Sequence, residues 1–342
     1  MAGIKDVAKK AEVSVTTVSR VLNKRGYISE EMYQRVYQAI DELNYCPNQI
    51  ARNLYLKRTF MVGLLIPDIS HPFFARLTKH IEMDLNHCGY KMILCNTIEK
   101  ASKEKEYMAM LRQNKADGII VGSHALDVSD YLKATLPMVS IDRKLGDRIP
   151  NVSSNHQMGG ELAARKLMEN GCKNVVQVMG DRRMKTALLE RHTAFQKMLK
   201  KNGVRCSTIE LKKTEFCFGK YSKAIQEVLS SNSNIDGVFA VDSIAARILQ
   251  TAQLYGIRVP EDLKIVGYGG SELAGLTYPR LTTVCQDCSA LSHSIVNALV
   301  LQIEHKEVGK IDHVHDVTLL EGGTTVPITK CEWKEQAGFK VD

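Results

Sequence analysis

Apolar residues in the N-terminal stretch recur with a helical period. Ile4, Val7, Ala8 and Ala11 stand at i, i+3, i+4 and i+7, the spacing of one buried helix face. Glu12-Val13 breaks the pattern. Ser14, a good N-cap, restarts it for a helix over Val15–Leu22 with Val18, Val21 and Leu22 on one side. Gly26 marks a loop. Ser29 then caps a third helix whose Glu30 and Glu31 suit the positive helix start, and Met32, Val36, Ala39, Ile40 and Leu43 form its stripe. Three short helices with a tight turn between the first two describe a helix-turn-helix unit.

From Thr59 the period changes. Strand-like apolar runs lie at Met61–Ile66, Met92–Cys95, Gly118–Val121, Met138–Ile141, Val175–Met179, Ile209–Leu211, Gly237–Val241, Ile265–Tyr268 and Leu281–Val284. Helical stretches separate most of them, among them Phe73–His87, Lys103–Gln113, Met158–Asn170 and Ala187–Lys201. Repeated β-α units imply parallel sheets covered by helices. So many strands in one chain segment divide best into two lobes. The expected fold class is therefore a small all-α helix-turn-helix headpiece followed by an α/β body of two doubly wound lobes.

Composition adds a sign to this picture. The 342 residues carry a net charge of +8, and residues 1–58, with ten Lys/Arg against six Asp/Glu, hold +4 of it. A basic terminal module is the electrostatic footprint of a nucleic-acid binder. No apolar run approaches the length of a membrane span, and no apolar core follows a basic start, so the expected location is cytoplasmic, with no membrane partner. The nine cysteines are scattered. Cys285 and Cys288 have C-x-x-C spacing but no second pair nearby, so the expectation is reduced thiols, with no metal and no cofactor. An enzyme on a nucleotide-binding fold would need a glycine-rich phosphate loop. Gly267-Tyr268-Gly269 begins one, but Glu272 stands at the last glycine position. The chain is not expected to be an enzyme.

The second helix is the expected recognition helix, whose first residues enter the major groove. Thr16 can hydrogen-bond a base edge and Val15 can touch a thymine methyl. Arg20 can reach a guanine or a phosphate, and Ser19, Asn23 and Tyr27 can donate to the DNA backbone. Spacing alone leaves open that these polar residues are simply solvated.

Specific motifs narrow the choice. Asp6-Val7-Ala8, Val13-Ser14, Thr17-Val18-Ser19-Arg20-Val21-Leu22-Asn23, Leu43-Asn44-Tyr45, Pro47-Asn48 and Ile50-Ala51-Arg52-Asn53-Leu54 resemble the headpiece and hinge of the lactose/galactose-repressor family. Gly3 stands where that family usually has a Thr cap. The resemblance implies a headpiece over 1–46, a hinge over 47–58, a ligand-sensing and dimerisation body over 59–328, and a tail over 329–342 that we expect to be loosely ordered. It also implies DNA contacts for Asn48 and Arg52, and a wedge, Leu54, that enters the minor groove and kinks the duplex. The body resembles a type I periplasmic-binding-protein-like sensor through Val62–Ile69, His71-Pro72-Phe73-Phe74, Ala116–Ile120, Val259–Leu263, Val266-Gly267-Tyr268 and Leu281–Val284.

Such a sensor binds its ligand between the lobes, at the C-terminal strand ends. Asp68, Phe73, Phe74, Asp142, Arg143, Arg191, Asp242 and Gln286 are the candidates. Carboxylates and Arg can engage adjacent sugar hydroxyls, and an aromatic ring can stack on a sugar face. Val241 and Gly269-Gly270 stand where family members often carry polar groups. Within the family, Gly26-Tyr27-Ile28-Ser29, Ser123-His124, Ile149-Pro150 and Gly171-Cys172 are similar to sucrose-operon repressors. The stretch Leu64–Phe74 is shared with ribose-operon repressors. The implied function is a homodimeric repressor of a sugar-utilisation operon. It would bind a near-palindromic operator and be released by a sugar or sugar phosphate. The alternatives are a ribose-operon-type regulator, or a catabolite-control regulator answering to a phosphocarrier protein.

Overall fold

The computed structural model describes residues 2–23, 26–46, 58–98, 100–182, 186–211, 222–229, 234–309 and 311–326. The chain forms two compact units, Met1–Thr59 and Phe60–Asp342.

The first unit holds α1 (Ile4–Lys10), α2 (Val15–Leu22) and α3 (Glu30–Glu42). Its core is small: Val7, Val18, Val21 and Val36 are fully buried, with Ala8, Ala11 and Ala39 beside them. The caps follow the sequence. Ser14 Oγ accepts from Thr17 N at 3.0 Å and Ser29 Oγ from Met32 N at 3.4 Å. Gly3 caps α1 without a side chain, and Asp6 compensates by accepting from Gly3 N at 2.7 Å. Arg35 on α3 donates to the Ala11 carbonyl at 2.7 Å, which fixes the turn between α1 and α2.

The second unit holds β1 (Met61–Ile66), α4 (Pro72–His87), β2 (Lys91–Asn96), α5 (Ala101–Gln113), β3 (Gly118–Val121), α6 (Val128–Leu132), β4 (Met138–Ile141) and β5 (Asn151–Ser154). There follow α7 (His156–Glu169), β6 (Asn174–Met179), α8 (Leu188–Lys201), β7 (Arg205–Glu210), α9 (Ser222–Leu229), β8 (Gly237–Phe239), α10 (Asp242–Leu254), β9 (Lys264–Gly269), α11 (Glu272–Leu276) and β10 (Thr282–Cys285). The unit closes with α12 (Cys288–Ile303), β11 (Asp312–His315) and β12 (Thr318–Leu320). Two six-stranded sheets result, ordered β11-β5-β4-β3-β1-β2 and β12-β10-β9-β8-β6-β7. Among the described residues all strand pairs are parallel except β10 with β12. The doubly wound, two-lobed body expected from the strand pattern is what the chain adopts.

In the first lobe α4 and α12 cover one sheet face, burying Leu77, Ile81, Leu85, Leu291, Ile295 and Leu299 against Val62, Leu64 and Ile120. In the second lobe α10 packs Ile244, Ile248 and Leu249 on β8 and β9, while α7 and α8 cover the other face. The chain passes between the lobes three times: after β5, at Gln286-Asp287 between β10 and α12, and between β11 and β12. Both sheets reverse their winding beside their first strand, so both sets of C-terminal strand ends flank one cleft.

Three strands escaped the sequence pattern. Asn151–Ser154, Asp312–His315 and Thr318–Leu320 are short, the first two are mostly polar, and the last two lie at sheet edges. The strand expected at Ile209–Leu211 runs instead over Arg205–Glu210, also an edge, where alternation is not enforced by two buried faces. The tail from Thr329 lies outside the described residues.

Candidate nucleic-acid interface and ligand cleft

On α2, residues 15, 16, 19, 20 and 23 fall within roughly 140° of arc at about 100° per residue. Val18 and Val21 point the other way, into the core. That face is open: Thr16 and Arg20 are exposed, and Val15 keeps 40% of its surface although it is apolar. Thr17 is tied to the cap through Ser14 Oγ at 2.9 Å. Asn23 Nδ2 donates to Ser19 O at 2.8 Å, so this amide closes the helix before it meets anything else. Tyr27 is 97% exposed in the loop that follows. Asn48, Arg52 and Leu54 lie outside the described residues.

The cleft of the second unit is a cavity of about 940 Å³, counting its open mouth. Asp68, Phe73, Phe74, Asp142, Arg191 and Gln286 all line it. So do His71, His124, Tyr268, Thr186 and the apolar Val241 and Ile141. His71, His124 and Tyr268 are not among the residues expected there, although each lies in a stretch that resembles the family.

Two expected residues stand elsewhere. Arg143 does not line the cavity: its Nη1 donates to the carbonyls of His124 and Leu126, both at 3.0 Å. It therefore fixes the loop carrying His124. Buried Glu104 holds the same loop from the other side, accepting from Ser123 Oγ at 2.9 Å and Ala125 N at 3.1 Å. Asp242 sits behind the wall. Its carboxylate accepts from Thr283 Oγ1 at 2.6 Å and Ser271 N at 2.7 Å. Burial pushes its pKa up, against these hydrogen bonds.

Arg191 and Tyr268 are placed by glycines. A Cβ on Gly160 of α7 would lie 2.0 Å from the Arg191 carbonyl oxygen, and one on Gly159 would lie 2.7 Å from the Tyr268 ring. Only glycine lets α7 approach α8 and β9 this closely. The Arg191 guanidinium then lies over the Tyr268 ring at 4.2 Å, a cation–π contact. Arg191 Nε donates to His192 Nε2 at 3.3 Å, and His192 Nδ1 meets Gln177 Oε1 at 3.1 Å. That network selects the tautomer with the proton on Nδ1. Burial lowers the Arg191 pKa and drives that of His192 well below its ordinary value.

The two lobes meet polar group to polar group beside the cavity. Asp142, with φ of 57°, ends β4. Its Oδ1 lies 2.9 Å from His156 Nε2, and His156 Nδ1 lies 2.8 Å from the Tyr268 hydroxyl. The Asp142 carbonyl also accepts from Ala187 N at 2.8 Å. Gln286 Nε2 donates to Ser154 Oγ at 2.9 Å. Burial and Arg191 lower the His71 pKa to about 4, and burial and Arg143 do the same to His124. Both imidazoles are neutral near pH 7. His124 Nδ1 is buried with no hydrogen-bond partner among the described residues, an atom that a ligand hydroxyl would satisfy.

The cleft thus offers a guanidinium, two carboxylates, an amide and two neutral imidazoles on a largely aromatic and aliphatic wall. This mixture suits a polyhydroxylated ring with apolar faces. No group of His, Cys, Asp and Glu able to hold a metal occurs among the described residues. No described helix is long and apolar enough to cross a membrane.

Comparison with known proteins places both units. Residues 3–48 match the profile of bacterial regulatory proteins of the lacI family, and residues 164–325 that of the periplasmic binding protein-like domain. A ribose operon repressor of Halalkalibacterium halodurans is 40% identical over 307 residues, covering 90% of this chain and 92% of that one. A sucrose operon repressor of Streptococcus mutans is 36% identical over 327 residues, covering 94% and 99%. Among solved structures, a periplasmic binding protein/LacI transcriptional regulator of Alkaliphilus metalliredigens complexed with D-xylulofuranose is 28% identical. It covers 78% of this chain and 99% of that one, with a TM-score of 0.71.

Proposed function

The chain belongs to the LacI family of bacterial regulatory proteins, and we propose that it represses a sugar-utilisation operon and releases its operator when a neutral sugar enters the cleft. As in its relatives, the activity is DNA-binding regulation rather than catalysis. Val15, Thr16 and Arg20 read base edges in the major groove, while Ser19, Asn23 and Tyr27 contact the backbone. Asn48, Arg52 and Leu54 extend the contact through the hinge.

The observation that carries the sensor reading is the buried Arg191 guanidinium facing the cavity with Asp142 opposite, each on a different lobe. A ligand that bridges them favours one lobe arrangement over the other, which is what coupling to DNA requires. Arg191 is the one cation lining the cavity among the described residues, against Asp68 and Asp142. Arg182, which could have drawn a phosphate, is paired with Glu210 at 3.5 Å; Arg183 and Lys185 lie outside the described residues. The lining therefore favours an uncharged sugar over a sugar phosphate. Ribose, the fructosyl half of sucrose, and xylulofuranose share a five-membered ring form, so furanose-forming sugars are the first candidates. The 40% identity to a ribose operon repressor makes ribose the second reading beside a sucrose-related sugar.

The protein acts as a cytoplasmic homodimer on a near-palindromic operator. Exposed apolar side chains support self-association: Met83 and Leu94 on the first lobe, and Leu254, Tyr255, Leu276 and Tyr278 on the second. A thermal-shift screen of the full chain tests the sensor reading, because a ligand of the folded state raises the melting midpoint by mass action. A furanose-forming sugar should raise it and its phosphate should not. If only a phosphocarrier protein does so, a catabolite-control role replaces this one.

A further inference from the structure

We propose that Cys285 and Cys288 are an oxidation site for hydroperoxides, at which the two thiols close into a disulfide across the lobe crossing between β10 and α12. The sequence alone gave this pair no use. The structure surrounds it with features that ordinary buried cysteines lack. The two residues bracket Gln286-Asp287, one of the three crossings between lobes, and Gln286 lines the ligand cavity. Both thiols lie along the same edge of one guanidinium. Arg76 Nε donates to Cys288 Sγ at 3.2 Å, and Arg76 Nη2 lies 4.0 Å from Cys285 Sγ. Those two nitrogens form the paired fork of an Arg side chain, so both sulfurs face the same side of it. A cation beside a thiol favours the thiolate, the form that attacks oxidants.

Arg76 itself belongs to the first lobe, on α4, yet it reaches across the cleft. Its Nη1 donates to the Gly270 carbonyl and its Nη2 to the Gln286 carbonyl at 2.6 Å. Gly270 makes this approach possible: at φ of 62°, a Cβ there would lie 2.4 Å from Cys285 Sγ. The glycine pair that stands in place of family polar groups is thus part of the thiol site.

The two sulfurs divide the chemistry by exposure. Cys285 is half-buried and can be reached, whereas Cys288 is 2% exposed and packs into the first-lobe core. Burial raises the Cys288 thiol pKa, and Arg76 only partly offsets the rise. The Cys285 thiolate attacks one oxygen of the peroxide, the O–O bond breaks, and hydroxide leaves with a sulfenic acid on Cys285. The Cys288 sulfur then attacks that sulfur, the S–O bond breaks, and a second hydroxide leaves. The two thiol protons convert both hydroxides to water. Two thiols are oxidised by two electrons and one hydroperoxide is reduced. The product removes a sulfur acceptor from Arg76 and ties the end of β10 to the start of α12, which alters the crossing the lobes turn about.

The test uses the full chain, substoichiometric hydrogen peroxide and peptide mass mapping, and needs neither operator nor sugar. The peptide spanning 285–288 should lose two hydrogens before exposed Cys46 or Cys88 reacts, and thiol reductant should restore it. In Cys288→Ser, a sulfenic-acid trap should label Cys285. In Arg76→Gln, which removes the cation that faces both sulfurs, the reaction should slow measurably. Oxidised protein should differ in melting midpoint from reduced protein, and Cys285→Ser should show no difference. Oxidation that strikes Cys46 or Cys88 first and leaves 285 and 288 unlinked would overturn the proposal, and that mapping holds even if Arg76→Gln fails to fold.

Discussion

The two units put their polar residues to opposite uses. Among its described residues the helix-turn-helix unit buries only aliphatic side chains, and it turns Thr16 and Arg20 outward from α2. The two-lobed unit buries Asp142, His156, Arg191, His192, Asp242 and Gln286 around its cleft. A surface that reads DNA must stay solvated until it meets phosphate and base edges. A cleft that discriminates a small ligand must desolvate its polar groups beforehand and hold them on one another. The first arrangement is cheap to perturb locally. The second makes each polar group depend on its neighbours, so single changes there should propagate further.

Arg191→Ala should have the largest effect. Removing a buried cation whose partners stay behind costs about 2–5 kcal/mol of ligand binding, so the sugar-induced rise in melting midpoint should vanish while DNA affinity without sugar stays as it was. Acidification should come next. The ordinary His value is 6.5, and His71 and His124 are held near 4 in the folded chain. The unfolded state therefore binds more protons between these values, and stability falls as pH drops from about 6.5 to about 4, then levels off. Residues 1–58 contain no histidine, so calorimetry should show the two-lobed unit losing stability over that window by this route while the helical unit does not. Equal acid sensitivity of both units through it would remove the contrast.

Arg20→Ala should weaken operator binding by about 1–3 kcal/mol and relax sequence preference if it contacts a guanine. A uniform loss across sequences, with a shallower salt dependence, would instead make Arg20 a phosphate contact. Ser14→Ala should be the mildest change. It deletes the α2 cap, costing about 1 kcal/mol, and should lower the melting midpoint of the helical unit without touching the sugar response.

The helical unit was almost wholly legible, because α1, α2 and α3 are short amphipathic segments bounded by Ser14, Ser29 and a glycine. Most central strands were equally plain, being buried on both faces; β5 was not, because Asn151, Ser153 and Ser154 are polar although buried. The edge strands β7, β11 and β12 were not, because their residues answer to one neighbour and to solvent. In the cleft, residues directly following a strand were good guesses, but strand order does not say which way a side chain turns. Arg143 follows Asp142 in sequence and points to the carbonyls of His124 and Leu126. Asp242 follows Val241, and it is the valine that faces the ligand space. Tyr268 was hidden in a strand motif that reads as core. Its role emerges only from the ring's position under Arg191 and its hydroxyl on His156.

Release of the operator by a sugar requires coupling between the two units. Fluorescence anisotropy of an operator selected from random-sequence DNA, titrated with the full chain with and without the sugar found by thermal shift, measures it directly. Coupling of about 1–3 kcal/mol predicts a 5- to 150-fold weaker operator affinity with sugar bound, and the same factor lost in sugar affinity when operator is bound. An operator affinity that the sugar leaves unchanged, with sugar affinity equally indifferent to DNA, would contradict it.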